Sequence, residues 1–304
     1  MIPKELLAAL RTIEFVTSKL ANDQLSGSYA SGFRGQGLAF REVRPYQPGD
    51  PIRSIDWNVS ARMNAPYVKL FTEEREITVM LAVDLSASEQ FGTRRANKVR
   101  LASEVAALVS FSAQQNRDRV GLVIATDRVE RIVPPKGGQH HAMRVVREIL
   151  GFEPTYREPK PSSGLPKIGH ATNLNELLVT LMRVSKRRSI AFLISDFLDT
   201  GFEQTLARAS AKHDLIPIVL TDPRDKELPD VGLVAFEDLE SGESITVDTS
   251  DARVRTHYAQ SMKQLTEERR AMFMRLGIDA VEIETAGSFV KPLRELFMRR
   301  AKRK

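Results

Sequence analysis

The sequence predicts an α/β fold: a doubly wound, mostly parallel sheet preceded by a small β-rich module. From residue 77 onward, apolar runs of strand length alternate with segments of helix length, a pattern typical of parallel sheets with crossover helices. Residues 26–76 are instead rich in glycine and proline and contain short alternating runs, which favours β-structure with tight turns. A chain of 304 residues with 42% hydrophobic residues can bury one large core and a smaller one.

The elements can be predicted in order along the chain. Residues 3–20 carry apolar side chains at helical spacing, which predicts a helix within residues 1–25. Residues 26–76 form the β-rich module. Residues 77–290 then form the sheet domain, whose predicted strands are apolar runs at 77–84, 119–126, 129–133, 189–196, 214–221 and 278–283. Six strands follow from this pattern, with 129–133 at an edge.

The predicted helices of the sheet domain lie between these strands, at about 95–115, 140–151, 173–186, 202–212 and 251–276. Asp251 is a good N-cap for the last of them. Residues 234–247 alternate and turn at Ser241-Gly242, which predicts an inserted hairpin. Residues 291–304 form a basic tail whose helix starts near Pro292. The loop 153–171 is dense in proline and glycine, and loops of this length are usually functional or mobile.

A cluster of oxygen side chains follows the first strand of the sheet domain. In the run Asp84-Leu-Ser86-Ala-Ser88, the three polar residues alternate, so on an extended segment they face one side. One carboxylate and two hydroxyls suit a hard divalent cation. The alternative is that Asp84 caps the next helix and the serines bond local backbone, as such residues commonly do.

Two further residues are expected at the same place. Thr172 opens a helical pattern after the long loop, and Asp196 ends a buried strand. In open α/β sheets, ligands gather outside the carboxyl ends of the strands at the switch point, so both residues are expected to face Asp84. Because the proposed ligands are all oxygens, Mg²⁺ or Mn²⁺ is favoured over zinc.

This set resembles the metal-ion-dependent adhesion site of von Willebrand factor A domains. Asp84, Ser86 and Ser88 match its first loop, Thr172 its second and Asp196 its third. Upstream, the runs Arg34-Gly-Gln-Gly37, Arg44-Pro-Tyr-Gln-Pro-Gly-Asp50, Ile55-Asp-Trp-Asn58 and Ala61-Arg62 occur in order. They are similar to the signature of the MoxR-associated family called domain of unknown function fifty-eight, over about residues 25–300. The resemblance implies a von Willebrand A-like fold. It also implies two partners, a MoxR-type AAA+ ATPase and an unknown client protein.

The upstream module contains a second candidate site of alternating charges around the single tryptophan of the chain. Such a set is expected either to bind a partner or to form a partly buried ion-pair network that locks the module to the sheet domain, and the structural interpretation is favoured. Its members are Arg44, Asp50, Arg53, Asp56, Trp57 and Arg62.

Composition excludes several functions. The chain has no cysteine, so a disulfide framework, a thiolate metal site and a cysteine nucleophile are all excluded. No apolar stretch is long enough for a membrane span, and charges interrupt the N-terminal segment, so a soluble and unsecreted protein is expected. Because members of the family that the chain resembles often carry membrane spans, the resemblance then implies a cytoplasmic member. The net charge of +6 equals that of residues 291–304, so the rest of the chain is neutral and an extended nucleic-acid surface is not expected.

The expected function is therefore a protein-binding or adaptor module that uses a divalent ion, and not an enzyme. The sequence has no G-x-x-x-x-G-K-[ST] loop, no G-x-S-x-G elbow and no H-E-x-x-H motif. Two alternatives remain open: a metal-dependent hydrolase that uses the same site, with Glu89 as the nearest candidate base, and a nucleic-acid adaptor that uses the basic tail.

Overall fold

The computed structural model describes residues 29, 37–74, 76–86, 92–93, 96–152, 173–237 and 244–302. The predicted N-terminal helix, the loop 153–171 and the turn at Ser241-Gly242 lie outside these residues.

A six-stranded sheet forms the centre of the structure, with strand order β12-β9-β8-β3-β6-β7. Neighbouring strands are parallel except for β7, which runs antiparallel to β6 at one edge. The predicted α/β class and the mostly parallel sheet are confirmed. The six strands are β3 (Thr78–Asp84), β6 (Arg119–Ala125), β7 (Val129–Lys136), β8 (Ile190–Ser195), β9 (Asp214–Thr221) and β12 (Val281–Glu284).

Within the described ranges, three two-stranded antiparallel sheets accompany the central sheet. The first pairs β1 with β2 within the predicted β-rich module, and the second is a short hairpin between β3 and the following helix. The third is the predicted hairpin near residues 234–247. These strands are β1 (Gly37–Pro45), β2 (Tyr67–Glu74), β4 (Gly92–Thr93), β5 (Ala96–Asn97), β10 (Leu233–Glu237) and β11 (Ser244–Asp248).

Helices flank both faces of the sheet, and several begin at side-chain caps. Asp56, Asn173 and Asp251 accept hydrogen bonds from the first turns of their helices, and Asp222 closes a capping box with Asp225. The helices are α1 (Trp57–Met63), α2 (Lys98–Gln115), α3 (Gln139–Leu150), α4 (Leu174–Val184), α5 (Glu203–Lys212), the single turn α6 (Pro223–Lys226), α7 (Ala252–Arg275) and α8 (Val290–Lys302).

Two apolar cores cover the two faces of the central sheet. Side chains of α2, α3 and α8 pack on one face, and side chains of α4, α5 and α7 pack on the other. Because both faces are covered, β8 is buried at every position, whereas the edge strand β7 is largely exposed. This burial explains why the inner strands read as uninterrupted apolar runs.

The observed boundaries differ from the predicted ones in a few places. Helix α2 begins at Lys98 because the short hairpin of β4 and β5 precedes it, and the last strand begins at Val281. Helix α1 was not predicted from the sequence at all. Among the described residues, no helix combines the length and the apolarity that crossing a bilayer requires.

Candidate functional site

The candidate site lies at the carboxyl edge of the central sheet, where β3 and β8 are neighbours. Asp84 is the last residue of β3, and Ser195 is the last residue of β8, followed by Asp196. The chain continues from β3 toward β6 on one side and later returns to β8 on the other, so this pair of strands is the switch point of the sheet. The predicted juxtaposition of Asp84 with Asp196 is present.

Asp84 is buried and accepts hydrogen bonds on both carboxylate oxygens. The Ser195 hydroxyl donates to Oδ2 at 2.7 Å, and the Ser86 backbone N–H donates to Oδ1 at 3.0 Å. The Ser86 side chain hydrogen-bonds the same carboxylate. Burial, together with the nearby Asp196 carboxylate, nevertheless raises the pKa of Asp84 to about 7. The site thus concentrates negative charge in a place with little access to water.

Asp196 has a cationic partner that the sequence analysis did not identify. The Lys98 ammonium lies 3.1 Å from Asp196 Oδ2 and 3.0 Å from Asp225 Oδ2. The side chains of Lys98 and Asp196 are each only 1% exposed. The other oxygen of Asp196 accepts from the Leu198 backbone N–H at 3.2 Å. A buried ammonium is tolerated where carboxylates neutralise it, and here two of them do so.

The chain turns a sharp corner directly after Asp196. Phe197 has a positive φ of 56°, a left-handed conformation that is uncommon for a residue with a bulky side chain. Its ring packs edge-on against Phe273 of α7, with centroids 5.3 Å apart, and the Phe197 N–H donates to the Ser195 hydroxyl. Arg269 of α7 donates through Nη1 to the Asp196 carbonyl oxygen at 3.0 Å. Helix α7 therefore supports the corner that carries Asp196.

A cavity of about 400 Å³ adjoins the same corner. Asp196, Asp225 and Arg269 belong to its lining, so it opens between the end of β8, the turn α6 and helix α7. Its remaining charged residues include Lys226, Lys263, Arg270 and Glu282, and the last two form an ion pair with each other. The cavity has both signs of charge along its walls.

Three of the five predicted metal-site residues lie in the described part of the chain. Asp84, Ser86 and Asp196 come together as predicted, while Ser88 and Thr172 lie outside the described residues. The described residues hold no cluster of three or more carboxylate or imidazole side chains suited to a metal ion. The three present do fit a Mg²⁺ or Mn²⁺ shell in kind, because their donors are oxygens and two of them are carboxylates that repel each other.

The charged residues of the upstream module divide into two groups. Arg44 forms a bidentate pair with Asp50, with both N–O distances at 2.7 Å. Asp56 caps α1 and lies 3.2 Å from the Lys69 ammonium. The first contact joins the end of β1 to the turn that follows it, and the second joins the start of α1 to β2. Both therefore act within the module and are not the predicted lock between module and sheet.

The position of Trp57 disagrees with the favoured interpretation, in which it lies at a partly buried junction. Its side chain is 67% exposed, and the neighbouring Ile52 and Met63 are 69% and 58% exposed. Arg53 and Arg62 are exposed as well. Trp57 is the first residue of α1, and the capping of that helix by Asp56 directs the backbone without burying the indole. The expectation of a buried tryptophan was wrong.

Lys98 could have been found from the sequence. Ala102, Val105 and Val109 are buried on α2, and Lys98 occupies the same helical face four residues before Ala102. A charged residue on an otherwise apolar stripe indicates a buried ion pair. The partner Asp225 had no such signal, because it lies in a polar turn far along the chain.

The sheet order, the buried carboxylates at the switch point and the covered faces define an α/β protein of the doubly wound class. Residues 42–270 match the family model described as protein of unknown function DUF58. The match spans more than half of the chain, which therefore belongs to the DUF58 family.

Two proteins with similar sequences come from Mycobacterium tuberculosis and Bacillus subtilis. The chain is 36% identical to uncharacterized protein Rv1480 of Mycobacterium tuberculosis over 239 residues, covering 78% of this chain and 72% of the relative. It is 26% identical to uncharacterized protein YeaD of Bacillus subtilis over 161 residues, covering 51% and 38%.

Solved structures similar to the chain include von Willebrand A-like domains. The conserved hypothetical protein BatB from Bacteroides thetaiotaomicron is 14% identical, with a TM-score of 0.46, and the similarity covers 74% of this chain and 99% of BatB. The SpRpn10 VWA domain is 11% identical, with a TM-score of 0.37 and coverage of 75% and 95%.

Proposed function

We propose that the protein is a binding module that engages a partner protein through a divalent ion held at the carboxyl edge of β3 and β8. The observation that carries the proposal is the pair of buried carboxylates, Asp84 and Asp196, at the switch point. Lys98 offsets Asp196 but is shared with Asp225, so the buried charge of Asp84 beside Asp196 still favours a further cation at this place. Ser86 adds an oxygen donor on the same side of the site.

The residues of the chain would have separate tasks in such a site. Asp84 and Asp196 would hold the ion, with Ser86, Ser88 and Thr172 as neutral donors that leave much of its positive charge uncompensated. The Ser195 hydroxyl orients the Asp84 carboxylate, and the Leu198 N–H, just after the Phe197 corner, donates to the carboxylate of Asp196. A bound Mg²⁺ or Mn²⁺ supplies an electrophilic coordination position that a carboxylate of a partner can complete.

The family resemblance implies the partner, a MoxR-type AAA+ ATPase together with its client protein. The module uses no nucleotide itself in this proposal, so ATP chemistry belongs to the partner. A pull-down with the cognate ATPase, in Mg²⁺ and in EDTA, tests the idea directly. We expect association in Mg²⁺ that is lost in EDTA and is weakened by Asp84→Ala and by Thr172→Ala.

Asp230→Ala is a matched control, because this carboxylate is 61% exposed and lies before the β10–β11 hairpin. It should bind the ATPase as the wild type does. Undiminished association of Asp84→Ala in Mg²⁺ would defeat the metal-bridged mechanism.

Two other functions would replace the proposal if their assays succeed. Metal-dependent phosphatase, nuclease or protease turnover that Asp84→Ala abolishes would establish the hydrolase alternative. Tight DNA binding that depends on the basic tail would establish the nucleic-acid alternative. Against the latter, Arg300 of the tail helix is only 13% exposed and pairs with Asp214 and Asp279, so part of the basic character of the tail is used internally.

A further inference from the structure

Lys98 has an unusual place for a lysine. Its side chain is almost fully buried, at 1% exposure, although it is the first residue of α2. The ammonium bridges Asp196 and Asp225 at 3.1 and 3.0 Å. Burying an ammonium is costly unless carboxylates neutralise it, so the three charges stabilise one another. Within this structure, Lys98 is the cation that Asp196 and Asp225 share.

Asp196, one of the two carboxylates that Lys98 neutralises, is also a ligand of the candidate metal site. Asp196 faces Asp84 across the switch point, and Ser195 hydrogen-bonds Asp84 directly. Asp84 has no ion-pair partner among the described residues. A divalent ion placed between the two carboxylates would therefore find Asp84 without a counter-charge. It would find Asp196 already paired with the Lys98 ammonium.

The formal charges of these side chains show how much negative charge a bound metal ion would have to neutralise. With Asp84, Asp196 and Asp225 ionised, three negative charges of the described cluster face Lys98 and the Arg269 guanidinium, which also interacts with Asp196 and Asp225. Removing the ammonium leaves the three carboxylates with one positive charge fewer, and a divalent ion can then make up that deficit. At separations near 4 Å and partial burial, one unit charge shifts the affinity for an ion by a large factor, about tenfold or more.

We propose that Lys98 is a tethered cation that competes with a divalent metal ion for Asp196. This inference rests on the metal site of the proposed function and adds its regulation. When the ion binds, the ammonium leaves Asp196 and no longer connects it to Asp225. Asp225 belongs to the turn α6, where its Oδ2 also accepts from the Asp222 N–H at 2.9 Å, and it lines the cavity beside Asp196. The metal-bound and metal-free forms thus differ in this wall of the cavity.

The test is direct binding of Mn²⁺ to the full chain, measured by the electron paramagnetic resonance signal of the free ion. Lys98→Met keeps most of the side-chain volume and removes the charge. We expect it to bind Mn²⁺ at least about tenfold more tightly than the wild type. Lys263→Met is the matched control, because this lysine lines the same cavity but is 76% exposed, and it should bind as the wild type does.

The results separate this inference from the metal-bridged function. If Lys98→Met binds Mn²⁺ and the wild type does not, competition is supported and the proposed metal-bridged function fails. If both bind equally well, or Lys98→Met binds less tightly, the metal site stands and the competition is refuted. If neither protein binds Mn²⁺, both ideas fail.

Lys98→Met removes the ammonium from the buried Asp196 and from Asp225, so the variant is expected to be less stable when metal is absent. If it does not fold, the comparison moves to Asp225→Asn alone and Asp225→Asn combined with Lys98→Met, since this pair removes one of the carboxylates left unpaired. The double variant should bind Mn²⁺ at least about tenfold more tightly than Asp225→Asn. Equal affinities in that pair would overturn the proposal.

Discussion

Asp84→Asn should stabilise the metal-free protein at neutral pH and remove a large part of its pH dependence. In the folded protein the pKa of Asp84 is raised to about 7, mainly by burial and then by Asp196, from an ordinary value of 3.8. Between these two values the folded state holds a proton that the unfolded state has lost. The stability of the wild type therefore falls as pH rises from about 4 to about 7.

The size of the effect follows from the shift in pKa. A difference of about 3 units corresponds to about 4 kcal/mol at 1.36 kcal/mol per unit, and the full penalty is reached above pH 7. Asparagine carries no charge at any pH, so the variant lacks this penalty. Losing one acceptor for the Ser195 hydroxyl or the Ser86 N–H costs about 1 kcal/mol, which leaves a net gain of about 3 kcal/mol at pH 8.

Urea unfolding of both proteins in EDTA, followed by far-ultraviolet circular dichroism from pH 4 to pH 8, measures the difference. Other buried groups also titrate there: burial raises the pKa of Asp118 to about 6, and burial with nearby cations lowers that of His213 to about 4. Both groups are present in both proteins and cancel in the difference. Parallel stability curves for the two proteins across this range would refute the reasoning.

Three further outcomes are expected in thermal or urea unfolding. Trp57→Ala should change the free energy of unfolding by less than about 1 kcal/mol because the indole is exposed, whereas Phe297→Ala in the core should cost about 3 to 5 kcal/mol; equal losses would contradict this. Tyr29→Phe should cost about 1 to 2 kcal/mol, since the buried phenol donates to Asp118 at 3.2 Å, and no loss would show that this bond is absent. Gly121→Ala should cost about 1 to 3 kcal/mol because a Cβ there would lie 2.7 Å from the Met80 sulfur and 3.1 Å from the backbone of β7, and a neutral result would mean that both neighbours move freely.

The central sheet was predictable because its physical signal is local. Strands such as β3 and β8 are buried on both faces, so they read as unbroken apolar runs, and the polar residue that ends each run marks the carboxyl edge. Parallel strands place those ends together, which is why Asp84 and Asp196 could be expected to meet. The hairpin near residues 234–247 had an equally local signal of alternation around Ser241-Gly242.

The remaining features depend on contacts between distant segments, which a sequence pattern does not contain. Asp225 lies 127 positions after Lys98 in the chain and meets it only because α6 follows β9 at the same sheet edge. Trp57 was expected at a partly buried junction because charged residues alternate around it in the sequence, but it is the first residue of α1 and its side chain is exposed. Helix α1 has a capping aspartate at Asp56, and that cue was outweighed by the surrounding glycine and proline.

The corner at Phe197 has a mechanical consequence. Its backbone is held in a left-handed conformation while its ring rests on Phe273, and one helical turn away on α7 Arg269 grips the Asp196 carbonyl oxygen. A residue so constrained has few conformations by which to absorb a shift of its neighbours. A movement of this 24-residue helix relative to β8 would therefore have to break the Arg269 hydrogen bond to the Asp196 carbonyl oxygen or the contact between Phe197 and Phe273.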